Sequence, residues 1–217
     1  MELYDALLTT RAMRRYRDDP VTDDEIERCL RAAQQAPSGG NLQPWQYLVV
    51  TDPERRARVG ELYKSAYDRY ERTLLAMTPR FRTPEDEASW RRTAEASRHL
   101  ADHFGEAPAL VLFLLPMIEW MPADDEGRMD IGPLYASVYP AVQNFMLAAR
   151  ELGIGTALTT VVRIRHDELR ALLAIPESME VAAVVPMGRP TGSFGVARRK
   201  PVAAVTHWDA FGNKRSV

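Results

Sequence analysis

A single cysteine, Cys29, is the only thiol in these 217 residues. An internal disulfide and a dithiol redox centre are thereby excluded, and a lone Cys at a core position points to a reducing compartment. The four histidines, His99, His103, His166 and His207, show no metal-ligand spacing, so no metal is expected. No phosphate loop, strand-linked GxGxxG or nucleophile elbow is present. Long apolar runs are also missing. The longest, near 107–117, is too short to span a bilayer as a helix. The first residues, Met1 to Asp5, lack a basic segment and a long apolar one, so no signal peptide and a cytoplasmic location are expected. A surplus of one charge is lacking too. The formal net charge is −2, which favours neither nucleic acid nor an anionic membrane as partner. These absences leave little reactive chemistry to the side chains, so an enzyme of this sequence needs a borrowed cofactor for the hard step.

What is present reads as one domain over 1–217, 46% hydrophobic and 27% charged. A short helix is expected over 2–11. Thr22-Asp23-Asp24-Glu25 is a capping box, followed by Ile26, Cys29, Leu30 and Ala33 at helical spacing, and Pro37 stops that helix. Residues 47–50 read as a strand. Charged helices are expected at 53–77 and 86–104, separated by a polar stretch containing Pro79 and Pro84. This middle segment shows the fewest core residues, which marks about 62–104 as a variable helical lid. Leu110–Leu115 reads as a strand buried on both faces. A polar loop at 118–131 precedes a long central helix at 131–152. Strands at 157–162 and 181–185 flank a short helix at 167–173. Helices alternating with buried strands predict an α+β (three-layer α/β) sandwich with a central mixed sheet flanked by helices.

Two features carry function. The decapeptide Ala36–Trp45 holds two prolines, two glycines and three short polar side chains. Such a loop is stiff, bent and rich in free backbone N–H groups, suited to lying against a flat polar ligand. The second feature is a pair of cationic clusters, Arg11-Arg14-Arg15 and Arg198-Arg199-Lys200. Arginine is suited to bidentate phosphate contact. An isolated Arg-rich pentamer is more often a solvated surface, and spacing alone does not make the clusters converge.

Five stretches, in order, resemble the FMN-dependent nitroreductase family. They are Arg11–Tyr16 with Pro20-Val21, Pro37–Trp45, Leu152–Thr156, Ile175-Pro176 with Val185–Pro190, and Arg198–Pro201. The resemblance implies a nitroreductase-like fold and a homodimer with FMN at the interface. It implies that Arg11, Ala12, Met13, Arg15 and Arg199 lie at the FMN phosphate. It places Pro37, Ser38, Gly39 and Asn41 on the partner subunit's flavin, and Leu158, Thr159 and Thr160 along the isoalloxazine edge, with a Thr hydroxyl or backbone N–H toward N5. Residues 202–217 would wrap the partner. The implied reaction takes hydride from NADH or NADPH to an electron-poor small aromatic such as a nitroaromatic or quinone.

Met13 departs from the family's usual Ser, and a thioether cannot replace a hydroxyl at a phosphate. Its backbone N–H is expected to bond there instead. Thr159-Thr160 also resembles the T-T-T-P element of the iodotyrosine deiodinase branch. Two β-branched residues in a strand need no functional reason, however. The alternatives are a reductive dehalogenase of halophenols or halotyrosines and a flavin-binding protein without turnover. Tyr63, Lys64, Tyr67, Tyr70 and Glu71 are candidates for a halotyrosine site, although a helix this charged reads as surface. Trp90 and Phe104 suit either an aromatic pocket or lid packing.

Overall fold

The structure, a computed structural model, describes residues 1–77, 81, 83–118, 123–128 and 132–215. Chain order begins with α1 (Leu3–Thr9), α2 (Asp23–Ala33), β1 (Gln46–Val50), α3 (Pro53–Ala76) and α4 (Pro84–Asp102). It continues with β2 (Ala109–Pro116), β3 (Ala123–Asp124), β4 (Gly127–Arg128), α5 (Tyr135–Glu151), β5 (Gly155–Thr156), α6 (His166–Leu173), β6 (Met179–Gly188) and α7 (Val202–Val205). The sheet order is β1-β2-β6-β5, and each of these ladders is antiparallel. The mixed character expected of the sheet reduces to one parallel bridge, Ala12 with Thr156.

The local signals act as the sequence suggests. Thr22 accepts from the Glu25 N–H, and the Glu25 side chain accepts from the Thr22 N–H, closing the capping box of α2. Thr83 caps α4 on Asp86 N–H, with Pro84 in its first turn. Pro84 therefore starts this helix and does not interrupt it, because a first-turn residue needs no N–H partner.

Seven of the eight residues of β2 are buried. Side-chain alternation sends Ala109, Val111, Phe113 and Leu115 into one core, with α2 and α5. Leu110, Leu112 and Leu114 enter the other, with α3, α4 and α6. The expected three layers follow, helices on each face of a dry sheet.

Two expectations change. The described part of 62–104 is largely helical, in α3 and α4, but not poor in core. Tyr63 and Tyr67 are 3% and 5% exposed, and Val59, Leu100 and Phe104 are buried beside them. Phe104 stacks on Tyr63 with ring centroids 3.8 Å apart. Residues 157–162 are not a continuous strand either. After β5 only Thr159 bridges to Val184, and a 3-10 turn takes over at Val161–Arg165.

Candidate active site

Arg11 to Arg15 run extended past the end of the sheet, pinned where Met13 N–H donates to Thr156 O at 2.8 Å. That bond removes the N–H expected to face a phosphate. The Met13 side chain is buried against Gly155, where an added Cβ would lie 2.8 Å from Met13 Cβ. Met13 is therefore a packing residue, and glycine at 155 makes room for it. Ala12 lies exposed on the same segment.

Three recesses meet along one face of α4. The first, of about 380 Å³, is lined by Arg11, Ala12, Met13, Arg14, Arg15 and Arg92 with Ser89, Thr93 and Gly192. The second, of about 740 Å³, is lined by Arg198, Arg199, Lys200, Trp90 and Phe81, again with Ser89 and Thr93. Thr93 also lines the third, a cavity of about 280 Å³ walled by Tyr63, Tyr67, Tyr70, Trp90, Leu158 and Thr159. The two cationic clusters thus converge on α4, a convergence invisible in sequence because they lie at opposite ends of the chain.

The cations are unevenly engaged. Arg15 faces His99 Nδ1 at 3.1 Å and Glu95 at 3.8 Å. Arg198 pairs with Asp86 at 3.4 Å. Arg11, Arg14, Arg92 and Lys200 make no hydrogen bond or ion pair among the described residues. Arg14 stands apart because it is half-buried and lines both the cationic recess and the aromatic cavity. Sequence reasoning passed it over in favour of its neighbours, since three arginines in five residues look alike until the backbone direction is known.

The Thr159-Thr160 pair divides in two. Thr159 is buried, its N–H donates to Val184 O at 2.9 Å, and its hydroxyl lies 3.1 Å from Tyr63 Oη while accepting from Val161 N–H. The Thr159 backbone is therefore spent on the sheet. Thr160 is exposed, and its hydroxyl and N–H have no partner among the described residues. Leu158 is 38% exposed beside it. Burial pushes the Tyr63 and Tyr67 phenols above their ordinary range, so both stay neutral at physiological pH.

Several of the lid charges are committed to each other. Arg98 binds Glu71 and also Asp68, the latter at 2.7 Å, while Lys64 pairs with Asp102. Cys29 is fully buried and burial pushes its thiol up to about 12, which leaves it inert. No group of three or more metal-ligating side chains exists among the described residues. No described helix is long and apolar enough to cross a membrane.

The Pro37–Asn41 loop borders none of these three recesses. It stands on α5, with Gly39 N–H donating to Ser137 Oγ at 3.3 Å and Gln43 N–H to Ser38 Oγ at 3.1 Å. Gly40, Asn41 and Gln43 hold positive φ of 56°, 54° and 48°, so the turn is left-handed as well as stiff.

Helices flank an antiparallel sheet, and a cationic recess adjoins an aromatic cavity at Arg14 and Thr93. The nitroreductase family model matches residues 7–189, and the chain belongs to the nitroreductase family. It is 31% identical over 186 residues to a protein of Archaeoglobus fulgidus named NADH dehydrogenase/NAD(P)H nitroreductase, covering 85% of this chain and 83% of that one. It is 27% identical over 205 residues to the nitrobenzene nitroreductase of Ectopseudomonas oleovorans, with 85% of each covered. Its fold matches oxidised iodotyrosine deiodinase bound to FMN and 3-iodo-L-tyrosine at a TM-score of 0.72, with 23% identity over 97% of this chain and 100% of the other.

Proposed function

We propose that this protein is an FMN-dependent oxidoreductase that passes hydride from NADH or NADPH to an electron-poor aromatic such as a nitroarene or quinone. The observation that carries the reading is the junction at Arg14, which lines both an arginine-rich recess and the adjoining aromatic cavity. That donor set fits a group with a phosphate at one end and a planar ring at the other. When bound, FMN supplies an N5 position able to accept hydride from a nicotinamide and return it to an acceptor.

The chain's own residues bind and orient. Arg11, Arg14 and Arg15 would hold the phosphate end, with Arg199 closing from the C-terminal side and Ala12 leaving room beside them. Charge-assisted contacts of this kind are about twice as strong as neutral ones. Leu158 would cover the ring, and Thr160, whose hydroxyl and N–H are free, would donate at its edge. Thr159 has a supporting part, since its hydroxyl fixes Tyr63 in the cavity wall. The aromatic lining excludes water and favours flat substrates.

The Pro37–Asn41 loop lines none of its own subunit's three recesses, as expected of a loop donated to a partner's cofactor. The proposed assembly is therefore a homodimer, with Pro37, Ser38, Gly39 and Asn41 acting in trans and 202–217 lying on the partner. In that tail Phe211 is 93% and Val202 77% exposed. The lid is assigned to α3 and α4.

The dehalogenase alternative needs charges that could grip an amino-acid zwitterion. Glu71 and Lys64 are instead tied to Arg98 and Asp102. The nitroreductase-type reaction is therefore preferred.

An absorption spectrum of the purified protein, followed by anaerobic titration with NADH and NADPH and then a nitroarene, tests the reading. A yellow protein, bleached by a nicotinamide and recoloured by the nitroarene, is expected. Protein that stays colourless after added FMN would sink it, and slow bleaching with any donor would favour a flavin-binding protein without turnover.

A further inference from the structure

The arginine-rich recess of about 380 Å³ has two walls. The N-terminal segment gives Arg11, Arg14 and Arg15, and α4 gives Ser89, Arg92, Thr93 and Ala96. Those four α4 positions fall at i, i+3, i+4 and i+7, so they form one face of the helix. Four arginines line the recess and no acid does. Cations gathered in this way repel one another until an anion joins them. Arg15 already reaches α4, at His99 Nδ1 and Glu95, but Arg92 makes no hydrogen bond or ion pair among the described residues.

The hydroxyls of the recess are as unevenly engaged as its cations. The Thr93 hydroxyl donates to Ser89 O at 2.9 Å. Thr191 lies exposed, and its N–H is spent on Arg15 O at 3.1 Å. The Ser89 hydroxyl is half-buried and has no partner among the described residues. Position 13 gives the recess no donor, because Met13 is a packed thioether whose N–H goes to Thr156 O. A partly buried hydroxyl gains by finding an acceptor. The open cation one turn further along α4, Arg92, calls for an acceptor that is negatively charged.

We propose that α4 carries half of the cofactor's phosphate site, with Arg92 and the Ser89 hydroxyl binding the phosphate opposite Arg11, Arg14 and Arg15. The proposal rests on the FMN reading above and adds two cofactor-binding residues to it. Neither lines the aromatic cavity, so their part concerns the phosphate and not the ring. The same helix supplies Trp90, Thr93, Ala94 and Ser97 to the wall of that cavity. Holding the anion between the N-terminal segment and α4 therefore also fixes the side of the cavity against which the ring lies. Arg92 is exposed, and salt should weaken its contact.

Fluorescence titration with FMN and with riboflavin, which lacks only the phosphate, tests the assignment without turnover. The parent protein is expected to bind FMN at least about tenfold more tightly than riboflavin, with the ratio shrinking as salt rises. Arg92→Gln should weaken FMN binding by about tenfold or more, and Ser89→Ala by about threefold. Riboflavin should bind both variants as it binds the parent. Amide exchange over Pro84–Asp102 should slow more with FMN than with riboflavin, and Arg92→Gln should shrink that difference. FMN affinity unchanged in both variants, or both flavins weakened together, would overturn the part given to α4 and leave the FMN reading standing. Equal affinities for FMN and riboflavin in the parent would overturn the phosphate site as a whole. Binding of neither flavin would overturn the FMN reading and the α4 assignment with it.

Discussion

Arg14 is the residue on which the proposed site turns, because it alone among the cations lines both the arginine-rich recess and the aromatic cavity. Arg14→Gln should weaken FMN binding by about 10- to 150-fold, since charge-assisted hydrogen bonds contribute roughly 1.5–3 kcal/mol. Quenching of free FMN fluorescence on titration measures it, and an unchanged Kd would remove Arg14 from the site. A second residue, His166, is distant from that chemistry. Its Nε2 accepts from Val181 N–H at 3.0 Å, which requires a neutral ring. Burial, and then Arg170 and Arg163, hold its pKa below the ordinary histidine value. The folded state therefore binds fewer protons here than the unfolded one. Its contribution to stability is complete above pH ~6.5 and declines as pH falls below that. His166→Ala should cost about 1–3 kcal/mol at pH 7.5, through an orphaned N–H, and flatten the fall in stability between pH 7 and 5.5. Urea melts at several pH values report both effects.

At the scale of elements, α3 and the turn at 104–106 approach so closely that only glycines fit. A Cβ on Gly60 would lie 2.7 Å from Gly105 N, and one on Gly105 would lie 2.7 Å from Arg56 O. Alanine raises helix propensity by up to about 1 kcal/mol over glycine. Gly60→Ala should nevertheless destabilise by about 1–3 kcal/mol, because the clash is with backbone. A urea midpoint at or above that of the parent would refute the close packing. The elements also show what was legible in advance. The capping box of α2 and the dry run of β2 announced themselves, because each is a local pattern with one physical meaning. The buried face of α3 did not. Val59, Tyr63 and Tyr67 lie four residues apart, but among so many charges their burial depends on Phe104 and Leu100, which arrive forty residues later. The strand expected at 157–162 failed for a related reason, since β-branched Thr159, Thr160, Val161 and Val162 suit a strand, yet the chain turns there to bring Thr159 to Tyr63. The site was readable as residue types. Its arrangement, with Arg14 and Thr160 presented, Met13 buried and Arg15 facing His99 and Glu95 of α4, depends on contacts far apart in sequence.

At the scale of the whole molecule, the proposed dimer makes the strongest claim. Truncation after Pro201 removes α7 and the exposed Trp208 and Phe211. Sedimentation should show a dimer for the full chain and a shift toward monomer for the truncated one, with FMN affinity falling in step. A truncated protein that stays dimeric and keeps its flavin would show that the tail is not part of the assembly.

The two cores on either side of the sheet have a further consequence, for how such a protein can evolve. Tyr63, Tyr67 and Leu100 border the cavity and also belong to the second core. Much of this lid is thus structural capital, and replacing it wholesale would cost the fold. New acceptor ranges are open mainly through the α3 and α4 positions that border the cavity without entering that core, which are Tyr70, Glu71, Trp90, Thr93, Ala94 and Ser97. A library confined to those six positions should keep its melting temperature while its substrate profile drifts.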